Sequence, residues 1–169
     1  MQINVSQLLK ESIGATREYR VDEPADIIGD GNKYNVAGDC RLLRTDRSIL
    51  ATCSLKTEVA LICCRCLCRF RYPLEIRFEE EFLPTLDILS GTPLPPPEES
   101  HAFTIDEHHT LDLSEAVRQY ALMSVPMKEL CDEDCAGICQ SCGKNLNQGK
   151  CDCPAPEIDH RWSALTKLQ

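Results

Sequence analysis

The spacing of thiols near the carboxy end constrains this chain more than any other feature. In the stretch CAGICQSCGKNLNQGKCDC, Cys135 to Cys153, five cysteines fall within nineteen residues. Such a stretch has almost no apolar core of its own, so something other than hydrophobic burial must fold it. Zinc takes four thiolates in a closed tetrahedron, and a Cys-x-x-Cys turn supplies two of them from neighbouring backbone positions. Cys139 and Cys142 form such a pair, with Gly143 just after the second ligand, where the chain must turn with positive φ. Cys151 and Cys153 follow across the eight-residue loop GKNLNQGK, whose glycines and asparagines suit a hairpin. These four make a first candidate metal site, and a site of this kind contributes on the order of 10 kcal/mol to folding.

Two cysteines of the same module, Cys131 and Cys135, are then left over, and two more, Cys63 and Cys66, lie far upstream in CCRCLC. Together they make a second candidate site that closes a long loop. Cys64 and Cys68 are alternative partners for it, and a single site drawing on Cys135 is the other arrangement. Cys40 and Cys53 fall on inward positions of alternating strands, where a thiol behaves as a small hydrophobe.

The chain has 169 residues, twelve cysteines and a formal net charge of −9. Its amino terminus, MQINVSQLLKES, has neither a basic nor an uninterrupted apolar region, and no apolar run approaches a membrane span. A soluble, cytoplasmic protein without membrane partners is expected. In a reducing compartment, Cys-x-x-Cys pairs bind metal or do redox chemistry rather than cross-link. The negative charge argues against indiscriminate coating of nucleic acid. Charge is uneven, however: residues 37–77 carry eight Lys or Arg against four acids, whereas residues 78–117 carry ten acids and no Lys or Arg.

Along the chain, Val5, Leu8, Leu9 and Ile13 recur at helical spacing after Asn4, an N-cap type, and Gly14 can close that helix. The period then becomes two. Tyr34, Val36, Cys40 and Leu42 share one face, and after the turn RTDRS so do Ile49, Ala51, Cys53, Leu55, Val59 and Leu61. In FRYPLEIRFEEEF, Phe70, Tyr72, Leu74, Ile76, Phe78 and Phe82 point inward, and Arg69, Arg71, Glu75, Arg77, Glu79 and Glu81 outward. Pro73 suggests an edge or a bulge. The proline-rich acidic stretch over about 84–100 reads as an exposed linker. Asp112 and Glu115 have capping-box spacing ahead of a helix over about 112–124, which Pro126 ends. A last helix is expected after Asp159, with Trp162, Leu165 and Leu168 on one face.

The expected architecture is therefore α+β: an antiparallel β-sheet, about 17–83, flanked by short helices, with a C-terminal zinc-ribbon-like Cys module. Residues 1–126 would form the first domain and 127–169 the Cys-rich module with its closing helix.

The ordered set CCRCL, FEEEF, LDLSEAVRQYALMSVPM, CDEDCAGICQSCGKNLNQGKCDC and DHRWSALTKL, from about Leu61 to Leu168, closely resembles the YceD family of large-subunit ribosomal RNA accumulation proteins. The resemblance implies a role in accumulation of that RNA, metal binding and a capacity for nucleic-acid binding. It makes Cys63, Arg65 and Cys66 the family's C-x-R-C motif and matches the terminal cysteines to its zinc-ribbon-like form. Cys64 and Cys68 are thiols that the motif does not require.

Three functions compete. The first is a non-catalytic biogenesis factor with two Zn2+ per chain that holds large-subunit rRNA or its precursors, or an assembly protein. Phosphate contacts would fall to Arg65, Arg69, Arg71 and Arg77, because guanidinium forks bind phosphate bidentately. Solvated pairing with Glu75, Glu79 and Glu81 is the competing role for these arginines. The second is a protein adaptor that recruits a basic ribosomal protein or RNA-processing enzyme without touching RNA. The third, an enzyme, lacks support: His108 and His109 are adjacent, no His-Glu-x-x-His pattern exists, and four-thiolate zinc leaves no open position. No small-molecule substrate is expected.

Overall fold

A computed structural model describes residues 1–96, 102–154 and 161. The chain forms two compact units, Met1–Leu61 with Arg71–Glu129, and Ile62–Phe70 with Leu130–Gln169. The smaller unit thus draws on two distant stretches of sequence.

The named elements run β1 (Gln2–Asn4), α1 (Ser6–Lys10), β2 (Thr16–Ala25), β3 (Tyr34–Arg44), β4 (Ile49–Ile62), β5 (Arg69–Pro84), β6 (Phe103–Ile105), β7 (Thr110–Asp112) and α2 (Ser114–Ser124). The seven strands make one sheet in the order β1-β7-β6-β5-β4-β3-β2. The fold is mostly sheet with few helices, and the sheet is mixed rather than antiparallel: β6 runs parallel to β5, with Phe82 opposite Phe103 and Pro84 opposite Ile105. The chain between them is long enough for the crossover that parallel pairing demands.

Period-two alternation builds the central strands. Val36, Cys40, Leu42, Ile49, Ala51, Cys53, Leu55, Val59 and Leu61 are all buried, as are Leu74, Ile76, Phe78 and Phe82 of β5. Tyr34 is only half-buried at the start of β3. Pro73 lies inside β5 but outside the β5–β6 ladder, which covers only Phe82–Pro84. Gly38 permits a close approach of β3 to β4. A side-chain carbon there would lie 2.2 Å from the Ser54 carbonyl oxygen and 2.8 Å from the Leu55 Cα.

Cys40 and Cys53 are direct cross-strand partners in β3 and β4. They form a disulfide rather than two separate buried thiols, because the register brings their Cα atoms to 4.1 Å.

The helices also depart from the expected bounds. Asn4 Oδ1 does accept from the Ser6 N–H at 3.1 Å, but α1 ends at Lys10 and Ile13 is exposed. Gly14 instead donates its N–H to the Arg44 carbonyl at 2.8 Å. Ahead of α2, Asp112 accepts from the Ser114 N–H at 2.8 Å, while Glu115 holds Arg118 and Gln119 and does not complete a capping box. The α2 stripe of Ala116, Val117 and Ala121 is buried, and Tyr120 stacks on Phe78 with centroids 5.1 Å apart. Tyr120 Oη donates to Glu80 at 2.5 Å.

Part of the proline-rich stretch is a folded loop. Leu86 bridges to Pro93, and the Asp87 carboxylate accepts from the Leu89 and Ser90 N–H groups. The expected closing helix after Asp159 lies outside the described residues.

Candidate metal centres

The two sets of four cysteines expected from spacing are assembled as two clusters. Cys63, Cys66, Cys131 and Cys135 form one, Cys139, Cys142, Cys151 and Cys153 the other, and within each cluster the sulfurs lie within 4.8 Å of one another. In the first, Cys63 Sγ is 3.7 Å from Cys135 Sγ and Cys66 Sγ is 3.5 Å from Cys131 Sγ. A tetrahedron of thiolates about 2.3 Å from a zinc ion has sulfur edges of about 3.8 Å, close to these two separations.

Each cluster rests on a knuckle with the same backbone bonds. In the first, the Leu67 N–H donates to the Cys63 carbonyl and the Cys63 N–H to the Cys68 carbonyl, both at 2.9 Å. In the second, the Gly143 N–H donates to the Cys139 carbonyl at 2.9 Å and the Cys139 N–H to the Lys144 carbonyl at 2.8 Å. The residue after the second thiol is left-handed in both, with φ 59° at Leu67 and 72° at Gly143. Glycine signalled this turn at 143, whereas nothing in the residue type signalled it at Leu67.

The clusters differ in burial. Cys63, Cys66 and Cys135 are buried and Cys131 is half-buried, surrounded by Phe70, Leu130 and Cys68. In the other cluster Cys142 is exposed and the remaining three are half-buried. Of the surplus thiols, Cys64 is exposed, but Cys68 Sγ lies 3.0 Å from Cys66 Sγ.

Crowding splits the thiols electrostatically. Burial opposes ionisation of Cys63, yet backbone N–H groups of Cys131, Cys66 and Arg65 bring it down to about 6. Cys131 is pushed up, first by its hydrogen bond to Cys66 and then by burial. Likewise the backbone N–H groups of Cys142 and Ser141 lower Cys139 to about 6, while the hydrogen bond to Cys142 raises Cys153 to about 12. Four adjacent sulfurs cannot all carry negative charge unaided, and a bound dication removes that conflict. The donor set therefore suits a thiophilic metal ion, and each cluster can hold one.

The arginines expected to face phosphate are differently placed. Arg65 is exposed, and its Nη1 donates to the Cys135 carbonyl at 2.9 Å and the Glu133 carbonyl at 3.3 Å. Arg71 pairs with Glu58 at 3.1 Å, and Arg77 with Glu75 at 2.8 Å, where Lys56 also meets Glu75 at 3.2 Å. Arg69 is exposed at the start of β5.

Asn147 belongs to the site although sequence reasoning assigned its loop only to hairpin formation. Its Nδ2 donates to Cys135 Sγ at 3.2 Å and its Oδ1 accepts from the Ala136 N–H at 2.7 Å. Asparagine is so common in turns that its identity there carries no separate signal.

A mixed sheet protein with two tetracysteine clusters able to hold metal is the class that fold and site define. The chain belongs to the YceD family, described as "Large ribosomal RNA subunit accumulation protein YceD", which matches residues 51–169. Over 59 residues it is 36% identical to the Arabidopsis thaliana protein "Large ribosomal RNA subunit accumulation protein YCED homolog 1, chloroplastic", a match that covers 35% of this chain and 18% of that one. Over 131 residues it is 26% identical to an uncharacterised Mycobacterium tuberculosis protein, covering 77% of this chain and 60% of the relative. The chain therefore spans less than two-thirds of the length of these relatives. No solved structure matches it. The family's name refers to accumulation of large-subunit ribosomal RNA. No helix among the described residues is long and apolar enough to cross a membrane.

Proposed function

We propose that this chain is a non-catalytic factor for large-subunit rRNA accumulation and ribosome biogenesis. It carries two structural zinc ions that fix a surface for rRNA or an assembly protein, and it works in the cytoplasm. The observation that carries the reading is the pair of tetrathiol clusters, in each of which four sulfurs lie within 4.8 Å of one another. Cys63, Cys66, Cys131 and Cys135 hold one ion, and Cys139, Cys142, Cys151 and Cys153 hold the other in a ribbon-like hairpin. Zinc bound by four thiolates has no open position for water, which makes its contribution structural. Native mass spectrometry of the purified protein tests this directly. Two zinc ions per chain are expected, and one would remove the second site.

Direct RNA contact through Arg65, Arg69, Arg71 and Arg77 is tested by the Arg71→Glu, Arg77→Glu double variant. RNA binding should weaken with a shallower salt dependence, and unchanged binding would exclude this face.

A second reading, the protein adaptor, draws support from the ion pairs that Arg71 and Arg77 already make and from the net charge of −9. Crosslinking in cells, followed by sequencing of the recovered RNA, separates the two. Enrichment on precursor large-subunit RNA favours direct binding. Its absence, with the protein still required for that RNA, favours the adaptor.

A further inference from the structure

The loop between the two halves of the exposed cluster reaches the buried one. Cys139 and Cys142 close a hairpin in which Ile138 bridges to Asn145 and the Leu146 N–H donates to the Gly137 carbonyl at 2.9 Å. One short 3-10 turn, Leu146–Gln148, then presents Asn147, with the Asn145 side chain accepting from the Asn147 N–H at 2.9 Å. The Ala136 N–H can only donate, so it fixes the Asn147 amide with oxygen toward Ala136 and nitrogen toward Cys135 Sγ.

We propose that the two metal centres are coupled through Asn147: metal held by Cys139, Cys142, Cys151 and Cys153 raises the affinity of Cys63, Cys66, Cys131 and Cys135 for their own ion. The inference rests on the two-metal reading above. An N–H donor at a metal-bound thiolate spreads its charge and orients the ligand, and outer-shell donors of this kind are worth about 10- to 100-fold in metal affinity. Asn147 is a positioning residue whose donor reaches Cys135 only while the hairpin is closed. The exposed cluster has little burial to close it, so its metal does that work. Linkage makes the effect reciprocal.

Anaerobic titration of the metal-free full chain with Co2+ against a competing chelator tests the coupling. Thiolate-to-cobalt absorption reports the ligand set. Wild type should take two ions per chain. Asn147→Ala keeps all eight thiols and should still take two, with one bound about tenfold more weakly and with a shifted charge-transfer band. Asn147→Asp can still accept from Ala136 but cannot donate to sulfur. With a carboxylate oxygen facing both Cys135 Sγ and Asn145 Oδ1, it should lose at least as much, and the charge-transfer band of Asn147→Ala is the readout that a merely structural role would leave unshifted. In a Cys139→Ser, Cys142→Ser background, the remaining cluster should be weakened about as much, and adding Asn147→Ala should cost nothing more. Two ions in wild type, with the affinity and charge-transfer band of the Cys63, Cys66, Cys131 and Cys135 cluster unchanged in every variant, would overturn the coupling alone. Fewer than two ions in wild type would overturn the two-metal reading and the coupling with it.

Discussion

Leu67 and Gly143 occupy the same position in two knuckles with matching hydrogen bonds, each donating its N–H to the carbonyl of the first cysteine at 2.9 Å. Both are left-handed, but only glycine adopts that conformation without a clash between Cβ and backbone. Leu67 is 64% exposed, so its side chain packs little in return.

Substitutions at these two positions should therefore have opposite signs. Left-handed backbone costs leucine about 1–2 kcal/mol, and added freedom of the unfolded chain returns about half of that, so Leu67→Gly should stabilise by about 0.5–1 kcal/mol. Gly143→Ala should destabilise by about 1 kcal/mol. Denaturation midpoints of the metal-loaded protein would show both, and a destabilised Leu67→Gly would refute the strain argument.

Gly38→Ala places a carbon against two backbone atoms of β4, neither of which can rotate away. Strands β3 and β4 must separate locally, at a cost of about 1–3 kcal/mol. Urea unfolding should show a lowered midpoint, whereas wild-type stability would mean that the strands part more easily than this packing implies.

Arg65→Ala strips the donor from the Cys135 and Glu133 carbonyls and leaves both to find water. We expect a loss of about 0.5–1.5 kcal/mol and faster zinc release to a chromophoric chelator. Arg65→Lys should recover part of it. Release rates that do not change would mean that Arg65 does not brace the ligand loop.

Glu115 titrates at about 2, held down first by Arg118 and then by Gln119. Its folded value lies below the ordinary 4.5. The stabilisation is therefore complete above that pH and is lost as pH falls toward about 2. Carboxyl NMR titration should find Glu115 unusually acidic in wild type and shifted toward its ordinary value, though still below it, in Arg118→Ala.

What could be read from sequence was whatever is encoded locally. The thiol spacing named all eight cluster cysteines, and alternation found the inward residues from Val36 to Phe82. Strands β1, β6 and β7 left no trace, because three residues are too few to show a period and their partners are remote, Gln2 opposite Asp112 for instance. Parallel pairing of β5 with β6 depends on how the chain crosses over, which residue pattern does not encode. Arg65 was legible as a motif residue but not as a carbonyl clamp, since an arginine between two cysteines looks the same whether it faces solvent or its own ligand loop. Cys40 and Cys53 were legible as inward residues, but their bond follows from a register that only the paired strands define.

The buried cluster joins residues 65 and 72 positions apart, whereas the exposed one closes within a single short stretch. At about 5–20 residues per second, a growing chain leaves Cys63 and Cys66 without their partners for roughly 3–14 s. Throughout that interval two reactive sulfurs precede the pair that will complete their cage. Nascent protein thus passes through a window of vulnerability to oxidants and to stray metals, which closes only when Cys131 and Cys135 have been made.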